Sequence, residues 1–258
     1  MNYFDDEKKI IGQFQRVEPN RVWFPIQNDG CIELYNSLRE DEFAEWIDSS
    51  KKSDPPPDFF NPQKKIMMDV MRVDDHGRIT DKGKYINPVN QRESEVQREL
   101  RELGLLDIFP NVQGVFVNAV TDLPEKEDHN YQMYFDNFKR TVEKHISSIP
   151  LYKRNHPGYK TVFFVFDESS GYVVAESENA VKQDIKVGEV FYCRFYLHFI
   201  DRRFIEIFID ADIDYLIWFS PFKESCTDVP DVCIYDVKNL QLSDFEMFPE
   251  ELIISTEG

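Results

Sequence analysis

Two apolar runs separated by a long amphipathic helix constrain this chain more than any other feature. "IMMDVMRV" at 66–73 and "TVFFVF" at 161–166 are apolar at almost every position, which is typical of strands buried on both faces. Between them, residues 125–150 carry apolar side chains at intervals of three and four, the period of a helix packed on one side. Strand–helix–strand order favours a parallel or mixed sheet. The sequence therefore predicts an α/β fold in which a mixed sheet is flanked by helices.

The division of the 258 residues into domains is less clearly marked in the sequence. No convincing linker interrupts the chain, so we expect a single α/β domain over 1–258. Within it we expect a β-rich extension over 1–36, a core over 37–170 and a β-rich part over 171–258. The runs "IIGQFQRV", "CIELY" and "FIEIFI" are predicted as strands. Helices are predicted over 36–50 and 87–104, the second ending at Gly104.

Charge and cysteine content narrow the classes of function. The formal charge of −18 repels phosphate backbones at long range, so a broad grip on nucleic acid is not expected. A compact site that uses metal ions to neutralise phosphate remains compatible with that charge. The four cysteines contain no CxxC pair, and no apolar run approaches the ~20 residues that span a membrane. We expect a cytoplasmic protein with free thiols and no membrane association.

The stretch "PPPDFFNPQKKIMMDVMRV" at 55–73 predicts a hairpin with paired acids. A turn around Asn61 to Lys64 places Asp58 directly opposite Asp69, with Cβ atoms ~5 Å apart. Two like charges at that distance destabilise a sheet, which favours a bound divalent cation such as Mg²⁺ or Mn²⁺. The alternative is structural: Asp58 caps a turn, and Asp69 forms a buried ion pair.

This hairpin resembles the active-site hairpin of the PD-(D/E)XK, or restriction-endonuclease-like, nuclease superfamily. Pro57-Asp58 stands at the family's "PD", and Asp69-Val70-Met71 stands at its (D/E)-x-K. The resemblance implies a nuclease-like core in which both acids bind the metal and a lysine positions or activates the attacking water. Met71 replaces that lysine and can neither carry charge nor donate a hydrogen bond. The family's strand before the "PD" strand also has no counterpart in "SSKKSDPPP".

Two further site residues follow from the resemblance. The family places a glutamate on the helix before the hairpin, and Glu45 or Glu42 would fill that position. A lysine from the following helix would replace the missing one, Lys144 or Lys139 being the candidates. On that helix, His145 is predicted to be a packed core residue rather than a ligand.

Two functions from different classes follow. The first is a metal-dependent nucleic-acid phosphodiesterase with a degenerate or inactive site, built from Asp58, Asp69, Glu45 and Lys144. The second is a non-enzymatic acidic protein, such as an immunity protein or a DNA mimic, that binds a basic partner through its surface charge. Specific stabilisation by Mg²⁺ or Mn²⁺ would separate them.

Overall fold

A computed structural model describes residues 6–26, 28–49, 57–79, 82, 85–104, 108, 130–176, 193–221 and 229–256. The strands in these segments are β1 (Val22–Trp23), β2 (Ile47–Asp48), β3 (Phe59–Asn61), β4 (Ile66–Val73), β5 (Arg78–Ile79), β6 (Tyr85–Ile86), β7 (Lys160–Asp167), β8 (Tyr172–Ala175), β9 (Cys193–Phe195), β10 (Tyr215–Phe219), β11 (Val232–Asp236) and β12 (Ile253–Ser255). The α-helices are α1 (Asp6–Phe14), α2 (Asp29–Ser37), α3 (Glu40–Phe43), α4 (Pro88–Glu102), α5 (Tyr131–Asn155) and α6 (Arg202–Ile209).

A seven-stranded mixed sheet forms the centre of the fold, in the order β1-β11-β10-β7-β4-β3-β2. The strands β4, β7 and β10 run parallel to one another. The strands β2, β3 and β4 are joined as antiparallel neighbours, and β11 is antiparallel to β10. Smaller sheets are formed by β12-β8-β9 and by β5-β6. The predicted α/β class with a mixed sheet flanked by helices is confirmed.

Helices cover both faces of this sheet, which explains why β4, β7 and β10 are apolar on both sides. One face packs against α1 and α2 through residues that include Phe14, Leu34, Val162 and Phe164. The other packs against α5, α6 and β8 through Phe138, Phe204, Phe163, Trp218 and Tyr172 among others. Each fully buried side chain of this size contributes about 1.5–3 kcal/mol of transfer free energy.

The helix α5 supplies the longest apolar stripe, and its limits have local causes. Asn130 caps its first turn by accepting a hydrogen bond from the backbone amide of Met133, at 2.9 Å. The helix continues through Pro150 and ends at Asn155, just before Gly158 takes the left-handed conformation at φ 78°. The predicted helix began six residues earlier, and the part at 125–129 lies outside the described residues.

The β-rich character expected for residues 1–36 is wrong. The runs predicted as strands around residues 10 and 31 are the helices α1 and α2, and β1 is the one strand among the described residues of this range. Asn28 caps α2 by accepting a hydrogen bond from the amide of Cys31, at 2.8 Å. Ile10, Ile11 and Phe14 then lie on one buried helical face. Short apolar runs fit either period, and here tertiary packing selects the helix.

Two further segments differ from the sequence prediction. The single helix expected over 36–50 is replaced by the end of α2, the four-residue α3 and the strand β2. The predicted strand at 204–209 is α6, capped by Asp201, which accepts from the amide of Arg203 at 2.9 Å. The predicted helix at 87–104 is confirmed as α4, with Gly104 at φ 63° beyond its end.

Candidate functional site

The β3–β4 hairpin has the register that the sequence predicts. Phe59 pairs with Met68, and Phe60 pairs with Met67. Extending this register by one residue places Asp58 opposite Asp69. Both side chains then lie on the face of the sheet that α5 covers. The two predicted metal ligands are therefore brought together by the backbone pairing itself.

The turn of the hairpin is held by a side chain within it. Asn61 Oδ1 accepts hydrogen bonds from the backbone amides of Gln63 and Lys64, each at 3.0 Å. Lys65 closes the turn with φ 51°, in the left-handed region that favours glycine. The turn thereby fixes the pairing register of β3 and β4. A slip of one residue would move the side chains of the slipped strand to the opposite face of the sheet.

Asp69 is a buried acid with two polar partners from α5. Its residue is 3% exposed, and its Oδ2 atom lies 2.5 Å from Nδ1 of His145. The hydroxyl of Tyr152 donates to the same oxygen at 2.9 Å. An ionised carboxylate only accepts hydrogen bonds, so the His145 ring nitrogen is the donor in this contact. Both hydrogen-bond donors thus reach the Asp69 carboxylate from α5.

Neither donor is among the site residues that the sequence predicts. His145 was predicted to pack in the core, and its ring does pack edge-on against Phe163, with centroids 6.4 Å apart. Tyr152 follows His145 by seven residues, which is two turns, so both side chains leave the same face of α5. Two polar-tipped residues at this spacing on an apolar helix face were the signal available in the sequence.

Asp58 is held at the edge of the same cluster. Its Oδ2 atom accepts a hydrogen bond from the backbone amide of Val70 at 2.8 Å. Burial, followed by the charge of Asp69, raises the pKa of the Asp58 carboxyl to about 8. Burial and the like charge of Asp69 both favour the neutral form of this carboxyl.

The other predicted site residues lie apart from this pair. Glu45 is exposed in the turn after α3, and Lys144 is exposed on α5. Among the described residues, neither side chain forms a hydrogen bond or ion pair with Asp58 or Asp69. Met71, at the position of the family's lysine, is 2% exposed and belongs to the core beneath α5. The residues of α5 that reach the acids are therefore Tyr152 and His145, the neighbour of Lys144.

The donor set can be tested against a divalent cation. In the segments described, no three or more His, Cys, Asp or Glu side chains are grouped to hold a metal ion. Mg²⁺, however, is commonly bound through only one or two carboxylates, keeping several waters and taking substrate phosphates as further ligands. Two facing carboxylates with no lysine or arginine ion pair in the described chain fit that mode. Asp58 and Asp69 would be the protein ligands.

A second buried acid has an evident structural role. Asp167, at the end of β7, is fully buried and accepts hydrogen bonds from Ser169, Trp218 and Ser220. Its two oxygens are thus shared among donors from neighbouring strands and turns. This carboxylate ties together the carboxyl ends of β7 and β10.

Comparisons of the chain with models of protein families, with curated proteins and with solved structures found no match. No helix among the described residues is long and apolar enough to cross a membrane.

Proposed function

We propose that this protein is a metal-dependent nucleic-acid phosphodiesterase of the restriction-endonuclease-like kind, with a degenerate motif. The observation that carries the proposal is the opposition of Asp58 and Asp69 on a buried hairpin, in a register that keeps two carboxyl groups together. Two carboxyl groups this close together destabilise the folded state unless a favourable interaction compensates for their repulsion. We propose that a bound Mg²⁺ or Mn²⁺ ion provides that interaction.

The order of elements around the hairpin supports the same proposal. The strands β2, β3 and β4 form an antiparallel meander. The helices α4 and α5 come later in the chain, after β5 and β6, and β7 then lies parallel to β4. The resemblance noted in the sequence implies a helix and a further strand after the active-site hairpin. The chain supplies both in that order, and β2 supplies the strand before the "PD" position.

The side chains of the site have distinct tasks in this proposal. A divalent cation held by Asp58 and Asp69 would neutralise phosphate charge and lower the pKa of a bound water. Tyr152 and His145 fix the orientation of the Asp69 carboxylate, since both contact its Oδ2 atom. The Val70 amide fixes Asp58 in the same way.

His145 takes the place in the site for which a lysine was expected. Its Nδ1 atom is engaged by Asp69, and its side chain is 22% exposed. The buried carboxylate holds the ring in one tautomer, which leaves Nε2 as the nitrogen available to hold or accept a proton. An imidazole oriented in this way by a buried acid is suited to general acid–base work.

The second candidate is the acidic interaction protein. It is favoured by the charge of −18 and by the Asp69 oxygen that already accepts two hydrogen bonds without a metal. In that case the acids and His145 are a closed structural cluster. The surface charge would then recruit a basic protein.

Thermal melts separate the two candidates. We expect Mn²⁺ and Mg²⁺ to raise the melting temperature of the wild type over its value in EDTA, since a ligand that binds only the native state stabilises it by about 2.7 kcal/mol at a hundred times its dissociation constant. Asp58→Asn and Asp69→Asn should lose this response. Asp210→Asn, which removes an exposed acid, should retain it.

Cleavage assays on labelled single-stranded and duplex DNA and RNA complete the test. Metal-dependent cleavage that disappears in Asp69→Asn would support the phosphodiesterase. A wild type that neither responds to the metals nor cleaves any of these substrates would remove the phosphodiesterase and leave the acidic interaction protein.

A further inference from the structure

Two short segments of this acidic chain contain basic residues and no acids. Residues 61–65 and 151–160, here called the basic edge, carry five lysine or arginine side chains and no Asp or Glu among fifteen residues. Because 48 of the 258 residues are acidic, fifteen residues of average composition would carry about three. The basic edge is therefore a local reversal of the charge of the whole protein.

The fold brings these two segments together. The first is the turn of the β3–β4 hairpin, and the second joins α5 to β7. The backbone amide of Lys160 donates to the carbonyl of Lys65 at 2.9 Å, which places the two segments side by side at one edge of the sheet. The ring of His156 packs on Phe60, with centroids 4.3 Å apart, and Tyr159 lies 5.2 Å from His156. The basic edge is one surface in which aromatic rings lie beside cations.

Three of its cations have partners that hold them. Lys64 pairs with Glu42 at 3.2 Å, Lys153 pairs with Asp212, and the Lys160 amine donates to the Tyr215 hydroxyl at 2.9 Å. These contacts fix the cations and offset part of their charge.

The other two cations project into solvent. Lys65 and Arg154 are exposed and form no ion pair with any described residue. Lys65 also holds a backbone conformation, φ 51°, that glycine or asparagine would adopt at lower cost. The backbone conformation of the turn therefore does not favour lysine at this position, and we look to its charged side chain for a role.

The basic edge borders the paired acids. Phe60 follows Asp58 by two residues on the same face of β3, which is ~7 Å along a strand. His156, the C-cap residue directly after α5, follows Tyr152, the donor to Asp69, by four residues. A polymer bound at the basic edge would therefore lie on the hairpin that carries Asp58 and Asp69.

We propose that the basic edge binds the phosphate backbone of a nucleic acid, with Lys65 and Arg154 as the phosphate contacts. This inference rests on the proposed function and gives its substrate a place of approach. Long-range repulsion by the acidic surface leaves few positions where a polyanion can reach the protein, and this edge is one. Aromatic rings next to cations favour nucleic acid over an acidic peptide, because bases stack on such rings.

Binding measured in EDTA tests the inference without cleavage. The probes are fluorescein-labelled oligothymidylate and its duplex with oligoadenylate, titrated with the wild type by fluorescence anisotropy at several salt concentrations. We expect binding that weakens as salt rises. Lys65→Gly and Arg154→Gln should each weaken it on the order of fivefold and lower the salt slope by about one.

The variants are chosen so that folding does not confuse the result. Glycine suits φ 51° better than lysine, so Lys65→Gly should melt at the wild-type temperature or above it. Arg16→Gln is the matched control, because Arg16 is likewise exposed, forms no ion pair with any described residue and lies outside the basic edge. It should bind as the wild type does.

Three outcomes would overturn the inference. The first is the absence of salt-dependent binding by the wild type. The second is unchanged affinity in the Lys65→Gly, Arg154→Gln double variant. The third is polyglutamate binding as tightly as the oligonucleotides with the same loss in the double variant, which would assign the edge to an acidic protein. If the variants weaken binding as expected but no metal-dependent cleavage is found, the basic edge is upheld and the phosphodiesterase is rejected.

Discussion

The Asp58 carboxylate accepts a hydrogen bond from the backbone amide of Val70, the residue that follows Asp69. One strand thus supplies both the neighbouring charge and the donor that holds Asp58 beside it. The hydrogen bond lowers the pKa of Asp58, but burial and the Asp69 charge raise it by more, to about 8. Asp58 therefore carries a proton in the folded protein at neutral pH in the absence of a cation.

The first prediction is that stability falls as pH rises. The Asp58 pKa is about 8 in the folded state, against an ordinary value of 3.8, so the folded state binds the extra proton between these values. The unfolding free energy should then decrease with pH by up to about 1.4 kcal/mol per unit for this one group. Urea unfolding in EDTA at pH 6 and pH 8 measures the change.

Asp58→Asn isolates the group responsible. Asp74 has a pKa raised to about 6, mainly by burial, and adds a loss of the same sign at lower pH. The comparison between pH 6 and 8 should therefore show a smaller loss in Asp58→Asn than in the wild type. Parallel pH profiles for the two proteins would mean that Asp58 does not hold the proton.

The second prediction concerns the tyrosine on Asp69. Tyr152→Phe removes a hydrogen bond to a buried carboxylate and should lower the unfolding free energy by about 1–3 kcal/mol, with an unchanged denaturant slope. Tyr159→Phe is the control, because no hydrogen bond of its hydroxyl occurs among the described residues. Equal stability of the two variants would contradict the contact.

The third prediction concerns the position of the family's lysine. Met71 is 2% exposed beneath α5, so Met71→Lys buries an amine in an apolar core and should cost more than about 3 kcal/mol. Met71→Leu keeps volume and polarity and should cost less than about 1.5 kcal/mol. Chemical denaturation of both variants provides the comparison. A well-folded Met71→Lys protein would mean that this position opens towards the acids.

The fourth prediction uses the thiols. Burial raises the pKa of Cys31 to about 12 and that of Cys233 well above its usual range, whereas Cys193 is exposed. In a Cys226→Ser background, a thiol reagent should label Cys193 rapidly in the native protein and the other two after denaturation. Rapid native labelling of three thiols would contradict the burial. Cys226 lies outside the described residues.

Most of the elements that the sequence predicted correctly were recognised from short-range patterns. The strands β4 and β7 were visible as continuous apolar runs, and the helix α5 was visible because a long segment repeats the helical period. The hairpin register was predictable because a turn closed by Asn61 leaves few ways to pair its arms. The helices α1, α2 and α6 were missed because eight or nine residues of mixed apolar character fit a strand equally well.

The candidate site was predictable only on the hairpin side. Asp58 and Asp69 meet through local pairing, but the partners that complete Asp69 come from a distant helix. Which residue of α5 reaches the acids depends on which side chain faces the sheet. His145 lies on the apolar stripe and Lys144 one residue, or ~100°, away from it.

The chain separation of these contacts has a kinetic consequence. The hydrogen bond between Asp58 and Val70 closes over 12 residues, whereas those from His145 and Tyr152 to Asp69 close over 76 and 83. Local contacts form sooner than distant ones, so the hairpin brings its two carboxylates together before α5 arrives with its donors. That encounter is opposed by charge for as long as both acids are ionised, and refolding should accordingly become faster as acid protonates them.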